Sequence, residues 1–267
     1  MLLEAAKYHY HLDIQSANRN RETQQAEIER FIKTPVDAIV VTPFDSNEIN
    51  SSIAEANAAQ IPVFTADIER SGNSTDVVAH VGSDNFAGGK LAGQLMCKAV
   101  GKSGEIVIID EENVTSVSDR VAGFKSELQQ RCPLVRVVSV DSDGTGREAM
   151  AETLKILQNG PADITGIFGI NDDSALGAVD AVARDGLKGK IAIVGYDGMP
   201  AARRAIDTGD LFGDVVQDPD AIGATTILTI HTYFTQGKVP RSIVNVPVGV
   251  IGGKRGLAKS APSQTGS

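Results

Sequence analysis

The stretch Ile191–Pro200, IAIVGYDGMP, is an apolar run that halts on Gly195-Tyr196-Asp197-Gly198 before a helix start at Pro200. A continuous apolar run bounded by turn residues is the pattern of a parallel strand buried on both faces. In open α/β sheets, ligands gather outside the carboxyl ends of such strands. Asp197 stands at that end. Four further runs finish in a similar way: VDAIVVTPFDS at Thr42, IPVFTAD at Asp67, ITGIFGIND at Asn171 and LFGDVVQDPD at Gln217. Polar tips of this kind suit a small hydroxylated molecule.

Outward from this stretch, strands and helices alternate. Residues 1–8 read as the tail of a helix, and His11–Asn18, HLDIQSAN, as a strand. A helix over Arg21–Lys33 places Ile28, Phe31 and Ile32 on one face. Strand Val36–Thr42 leads to a helix capped by Asp45 or Ser46 and running through Ala59. Strands Ile61–Asp67 and Val77–Val81 precede a helix capped by Ser83 or Asp84. The second half repeats the pattern with strands Glu105–Asp110, Val135–Asp141, Ile164–Ile170, Lys190–Tyr196 and Leu211–Val216. Helices over Ser116–Arg131, Gly146–Gln158, Asp173–Ala183 and Ala201–Asp207 lie between them. Helix Pro219–Thr235 and strand Ser242–Val250 finish the folded part, and residues 254–267 read as a disordered polar tail. Such alternation predicts parallel sheets wrapped by helices on both faces.

With 267 residues, the chain suits two small lobes. The expected division is 1–81 with 218–246 as an N-terminal lobe and 82–217 with 247–253 as a C-terminal lobe, linked by a hinge of several crossings. A net charge of −9 and a pI near 5.0 argue against nucleic acid and against an anionic membrane surface. No apolar run approaches the roughly 20 residues of a membrane helix. The start, MLLEAAKYHYHLDI, does not read as a secretory signal.

Several residues invite a sharper chemistry. Asp67 and Asp197 resemble the two carboxylates of a glycosidase, but no enzyme motif accompanies them, so ligand contact or strand-end capping is the simpler reading. Gly144-Thr145-Gly146 follows a strand and opens a helix as a dinucleotide loop does, yet Asp141 and Asp143 would oppose a pyrophosphate. A glycine turn is expected there. His9 and His11 would share a strand face but lack a third metal ligand, and no cofactor or metal is expected. Tyr196 and Phe44 sit at strand tips, where stacking on a sugar and packing in the core or rim are both open. Cys97 and Cys132 are open to two readings: a disulfide in an oxidising compartment, or, more simply, two buried thiols.

The segments VDAIVVTPFDS, ANAAQIPVFTAD, HVGSDNFAGGKLAG, SDRVAGF, GINDDSALGAV, VGYDGMP and VVQDPDAIGA occur in this order. In them the chain resembles the ribose/galactose-type periplasmic binding proteins, the substrate-binding components of sugar ABC transporters, from about Glu4 to Val250. The resemblance implies sugar contacts at Asp67, Arg120, Asn171, Asp197 and Gln217, with Thr42 where relatives often carry Asn. These types suit sugars: a carboxylate accepts from neighbouring hydroxyls, an arginine donates a fork, and amides do both. Two departures set the chain apart from the ribose-type members. Ile68 follows Asp67 where ribose-type members usually have Arg, and an aromatic near Gly144 is missing.

The family also begins with a strand and a loop that precede the helix in which this chain starts; about two dozen mature residues and a signal peptide are implied upstream. On this basis the first lobe is expected to be incomplete between His11–Asn18 and Val36–Thr42, and weakened in stability and binding. The resemblance implies a type I periplasmic binding protein fold, α/β with two doubly wound lobes, and a periplasmic monomer. Its implied role is to close on a monosaccharide or polyol and deliver it to a permease, without enzymatic activity. Two alternatives share the fold: the effector domain of a LacI-type regulator, which needs an upstream DNA-binding segment, and a sugar sensor docking a chemoreceptor or kinase.

Overall fold

The computed structural model describes residues 1–159, 163–239 and 241–253. The expected tail at 254–267 lies outside the described residues. The chain forms two compact units. The first comprises Met1–Asn85, Asn113–Ser118 and Asp218–Pro247; the second comprises Phe86–Glu112, Asp119–Gln217 and residues 248–253.

The first unit carries a parallel sheet of order β1-β2-β3-β9, formed by β1 (Ile39–Val41), β2 (Val63–Ala66), β3 (Ala79–Ser83) and β9 (Ile243–Val246). One face is covered by α2 (Arg21–Lys33) and α3 (Ile49–Ala58), whose Ile28, Ile49, Ile53 and Ala56 pack on Ile39, Val41 and Val63. On the other face α1 (Leu2–Lys7) and α9 (Pro219–Gln236) bring Ala5, Ile227 and Ile230 against Phe64 and Ala79. Asn20 caps α2 by accepting the Thr23 amide at 2.7 Å, which explains why the helix starts at Arg21. Inside this unit His80 is buried, with Nδ1 2.9 Å from Thr65 Oγ1; burial pushes its pKa down to about 4 and holds the ring neutral.

The second unit holds a six-stranded sheet of order β10-β8-β7-β6-β4-β5. Its strands are β4 (Ser103–Asp110), β5 (Leu134–Asp141), β6 (Ile164–Gly169), β7 (Ala192–Asp197), β8 (Gly213–Val216) and β10 (Gly249–Gly252), all parallel except β10, which runs antiparallel to β8. Between them lie α4 (Asn85–Val100), α5 (Thr115–Arg131), α6 (Gly146–Asn159), α7 (Asp172–Arg184) and α8 (Pro200–Thr208). The core joins Val107, Ile109, Ile167 and Ile193 of the strands to Ala149, Ala175, Ala178 and Val182 of α6 and α7. The first turn of α5 belongs to the first unit, where the Thr115 hydroxyl donates to the Glu69 carbonyl at 2.7 Å.

Three expectations are corrected. His11–Asn18 is not a strand: among the described residues it joins no ladder, and extended backbone without a partner is not a sheet element. It is tied down by side chains, Leu12 in the core beside Phe64 and Asp13 paired with Arg30 at 3.0 Å. Ser242–Val250 is two strands in two different sheets, divided at Pro247, which has no amide for a ladder. Cys97 and Cys132 are not free thiols but a disulfide, with Cα atoms 5.9 Å apart, joining α4 to the residue after α5.

Candidate ligand-binding site

Four of the expected contact residues, with Tyr196, lie in the second unit, at or beside the carboxyl ends of its strands. Tyr196 and Asp197 finish β7, Gln217 follows β8, Asn171 caps α7 after β6, and Arg120 reaches in from α5. Parallel pairing of Asp197 with Val216 brings Asp197 and Gln217 together: Gln217 Nε2 donates to Asp197 Oδ1 at 2.6 Å, and the Gln217 amide to the Asp197 carbonyl at 3.1 Å. Arg120 is buried, with its guanidinium 3.5 Å from Asp197 Oδ1 and donating to the Ile170 carbonyl at 2.8 Å. A buried cation needs such partners, since desolvation alone would expel it.

Tyr196 is corrected from a possible sugar-facing ring to a core residue. Its side chain is fully buried, and the guanidinium carbon of Arg120 lies 3.9 Å from its ring centroid. The ring therefore serves as the platform beneath Arg120, a cation–π contact worth about 2 kcal/mol when desolvated. Gly88 of α4 leaves the space for the phenol: a Cβ there would overlap the Tyr196 hydroxyl.

Asn171 already has two structural bonds. Its Oδ1 accepts the Ser174 amide at 2.7 Å, capping α7, and its Nδ2 donates to the Gly144 carbonyl at 3.0 Å. A second amide hydrogen and a second lone pair remain for a ligand. Gly144, at φ +71°, makes the tight turn expected between β5 and α6, and Asp143 Oδ1 accepts from the Thr145 amide and hydroxyl. That carboxylate occupies the place a phosphate would need.

In the first unit, Thr42 and Asp67 follow β1 and β2. Thr42 is exposed and its carbonyl accepts from Gln24 Nε2 at 2.9 Å, while Gln24 Oε1 accepts the Phe44 amide at 3.0 Å. Gln24, Phe44, Arg21 and Asp45 line a cavity of about 350 Å³. The Asp67 amide donates to the Val81 carbonyl at 2.8 Å, and the residue turns out of the strand at φ +65°. Asp197 also has a positive φ, +127°. Two non-glycine residues in such conformations, both carboxylates at strand ends, mark positions where backbone strain of about 1–3 kcal/mol is tolerated.

Two further carboxyls escaped sequence reading. Asp172 and Asp214 are fully buried directly beneath the Asp197–Gly198–Met199 turn. For Asp214, burial first and then the charge of Asp172 raise the pKa far above the carboxylate range; burial likewise raises Asp172, against the pull of the Met199 amide. The available signal was an acid inside the short strand Gly213–Val216. Among the described residues there is no cluster of metal-ligating side chains, and His9 and His11 form none.

The profile of the periplasmic binding protein domain matches residues 3–238 of this sequence. The chain belongs to that family. Its branch is the ribose/galactose type of periplasmic sugar-binding protein, as the order of its segments implied. The ribose import binding protein RbsB of Bacillus subtilis is 32% identical over 241 residues, 90% of this chain and 77% of that protein. The galactofuranose-binding protein YtfQ of Escherichia coli is 31% identical over 254 residues, 90% and 77% of the two chains. Among solved structures, an ABC transporter periplasmic solute-binding protein of Actinobacillus succinogenes with bound D-allose is 28% identical with a TM-score of 0.84, covering 95% of this chain and 90% of that one. A solute-binding protein of Bacillus halodurans with bound myo-inositol is 26% identical with a TM-score of 0.83, covering 95% and 88%. The type I fold expected from the sequence is therefore the fold observed. No helix among the described residues is long and apolar enough to cross a membrane.

Proposed function

We propose that this chain binds a monosaccharide or related polyol and delivers it, unaltered, to the permease of an ABC importer. The observation that carries the reading is the Arg120–Asp197–Gln217 cluster at the carboxyl ends of β7 and β8, in which Asp197 is ion-paired with Arg120 and hydrogen-bonded by Gln217. It offers a fixed carboxylate acceptor, a guanidinium donor and an amide with both capacities. That inventory matches vicinal hydroxyls, each of which donates and accepts. Charge-assisted bonds of this kind contribute about 1.5–3 kcal/mol each, so a few suffice for a tight small ligand.

Asn171 completes the second unit's share, and Asp67 and Thr42 are the candidate sugar contacts of the first unit. Asp197 accepts from Gln217 and is ion-paired with Arg120, and is thus disposed as an acceptor, which supports binding without turnover. The Cys97–Cys132 bridge supports an oxidising compartment, hence the periplasm. The chain acts as a monomer in this reading.

A thermal-shift screen of pentoses, hexoses and cyclic polyols tests it. A bound ligand at one hundred times its Kd stabilises the protein by about 2.7 kcal/mol, a readily measured rise in Tm. One or more of the panel is expected to give that rise, and NMR of the recovered sugar to show it unchanged. If every member fails to shift the transition at millimolar concentration, or if the sugar is converted, the reading is wrong.

A further inference from the structure

Asp172 and Asp214 take no part in the sugar contacts just assigned. Asp172 opens α7 directly after its Asn171 cap; Asp214 sits in β8 opposite Gly195 of β7. Gly195 leaves room for both carboxyls in this space. A Cβ there would stand 2.8 Å from Asp172 Oδ1 and 3.3 Å from Asp214 Oδ1. Asp172 Oδ2 accepts the Met199 amide at 2.6 Å. Among the described residues, Asp172 Oδ1 and both oxygens of Asp214 have no hydrogen bond of good geometry, although the Gly198 amide bears on both carboxyls and lowers each.

Buried acceptors without donors are rare because the lost hydration is not replaced. A single proton bridges two of these three oxygens: an acid O–H on one carboxyl donates to the other, as two carboxyls sharing a site do elsewhere, and the third is left to the Gly198 amide. We propose that Asp172 and Asp214 share one proton at neutral pH and that this acid–carboxylate pair positions Asp197 for its ligand.

The route to Asp197 is short. The Met199 amide bonded to Asp172 is two residues from Asp197, whose backbone sits at φ +127° and needs support on both sides. The Gln217 amide holds the Asp197 carbonyl from β8, and the carboxyl pair holds the turn from below. The charged groups bearing on the pair and its turn are Asp197 itself, Arg120 from α5 across the Asp197 carboxylate, and Arg203 of α8, whose Nε donates to the Gly198 carbonyl at 2.8 Å. The flanking strands β6 and β10 carry no titratable side chain. Burial raises both carboxyls, and the mutual repulsion of Asp172, Asp214 and Asp197 keeps the shared proton in place. Loss of that proton puts two facing charges beneath a third, and the turn carrying Asp197 shifts away from Arg120 and Gln217.

The consequence for affinity rests on the sugar-binding reading; the shared proton does not. Carboxyl-carbon NMR of the intact chain is therefore titrated beside the affinity for whichever panel sugar binds most tightly. Expected are one aspartate carbon with the shift of a protonated acid at pH 7, titrating only in the alkaline range, and a Met199 amide proton that moves with the same midpoint. Affinity is expected to fall about tenfold or more from pH 7 to about pH 10 along that midpoint. Asp214→Asn, which keeps a donor without a titrating group, is expected to flatten both the Met199 shift and the alkaline loss of affinity. Two ionised carboxyls at pH 7, or an Asp214→Asn variant that loses affinity with pH as the native chain does, would overturn the proposal. If no sugar binds, the sugar-binding reading falls alone, and the carbon titration with the Met199 amide still decides the pair.

Discussion

Arg120 shows how much one side chain has to satisfy. Its guanidinium lies on the Tyr196 ring, donates to the Ile170 carbonyl and faces Asp197. A lysine would keep the charge but lose the plane that stacks and the fork that donates in two directions. Arg120→Lys is expected to weaken sugar binding by about 1.5–3 kcal/mol, roughly ten- to a hundred-fold, when measured by titration calorimetry. An affinity within twofold of the native chain would remove Arg120 from the ligand set. The meeting of Asp197 and Gln217 was legible because parallel strands carry their polar tips to one edge, whereas Arg120, which comes from α5, was implied by the family resemblance alone. The direction of Tyr196 was not. In a strand buried on both faces, alternation gives no sign of inside and outside, and β7 is buried along nearly its whole length. Asp214 was missed for a related reason: a lone acid in a short strand looks like an exposed one until its neighbours are known.

At the scale of elements, helices read more clearly than strands. Arg21–Lys33 has the limits expected of it, because an asparagine cap and an apolar stripe are both local. Whether a stretch is a strand depends on a neighbour elsewhere in the chain. His11–Asn18 has the composition of a strand and no ladder, while Ser242–Val250 divides between two sheets at a proline. The disulfide was equally out of local reach, since nothing in the spacing of Cys97 and Cys132 says that α4 and the end of α5 converge. They do, and the bridge closes a loop with a sequence separation of 35 residues. Loop-closure entropy makes such a link worth about 4 kcal/mol. Cys97→Ser/Cys132→Ser is expected to lower the denaturant midpoint of the second unit by a corresponding amount, and reduction of the native protein to do the same. An unchanged midpoint on reduction would show that the bridge adds nothing to stability.

For the molecule as a whole, proton uptake differs between the two units. The raised carboxyls of the second unit favour the folded state most at low pH. Their contribution is full below the ordinary carboxylate pKa of 3.8 and is lost as pH climbs through the raised values. Asp214→Asn is therefore expected to raise the melting temperature at pH 8 more than at pH 5. A larger gain at pH 5 would mean that the carboxyl is not raised by folding.

His80 in the first unit leans the other way. Folded with a pKa of about 4 against an ordinary 6.5, it stays neutral while the unfolded chain takes up a proton, so acid removes on the order of 3 kcal/mol between those values. Acidification should thus soften one half of the molecule while firming the other. Scanning calorimetry from neutral to mildly acid buffers would register this as a drifting interval between two melting events, and replacing the imidazole of His80 by a non-titrating side chain would still much of that drift.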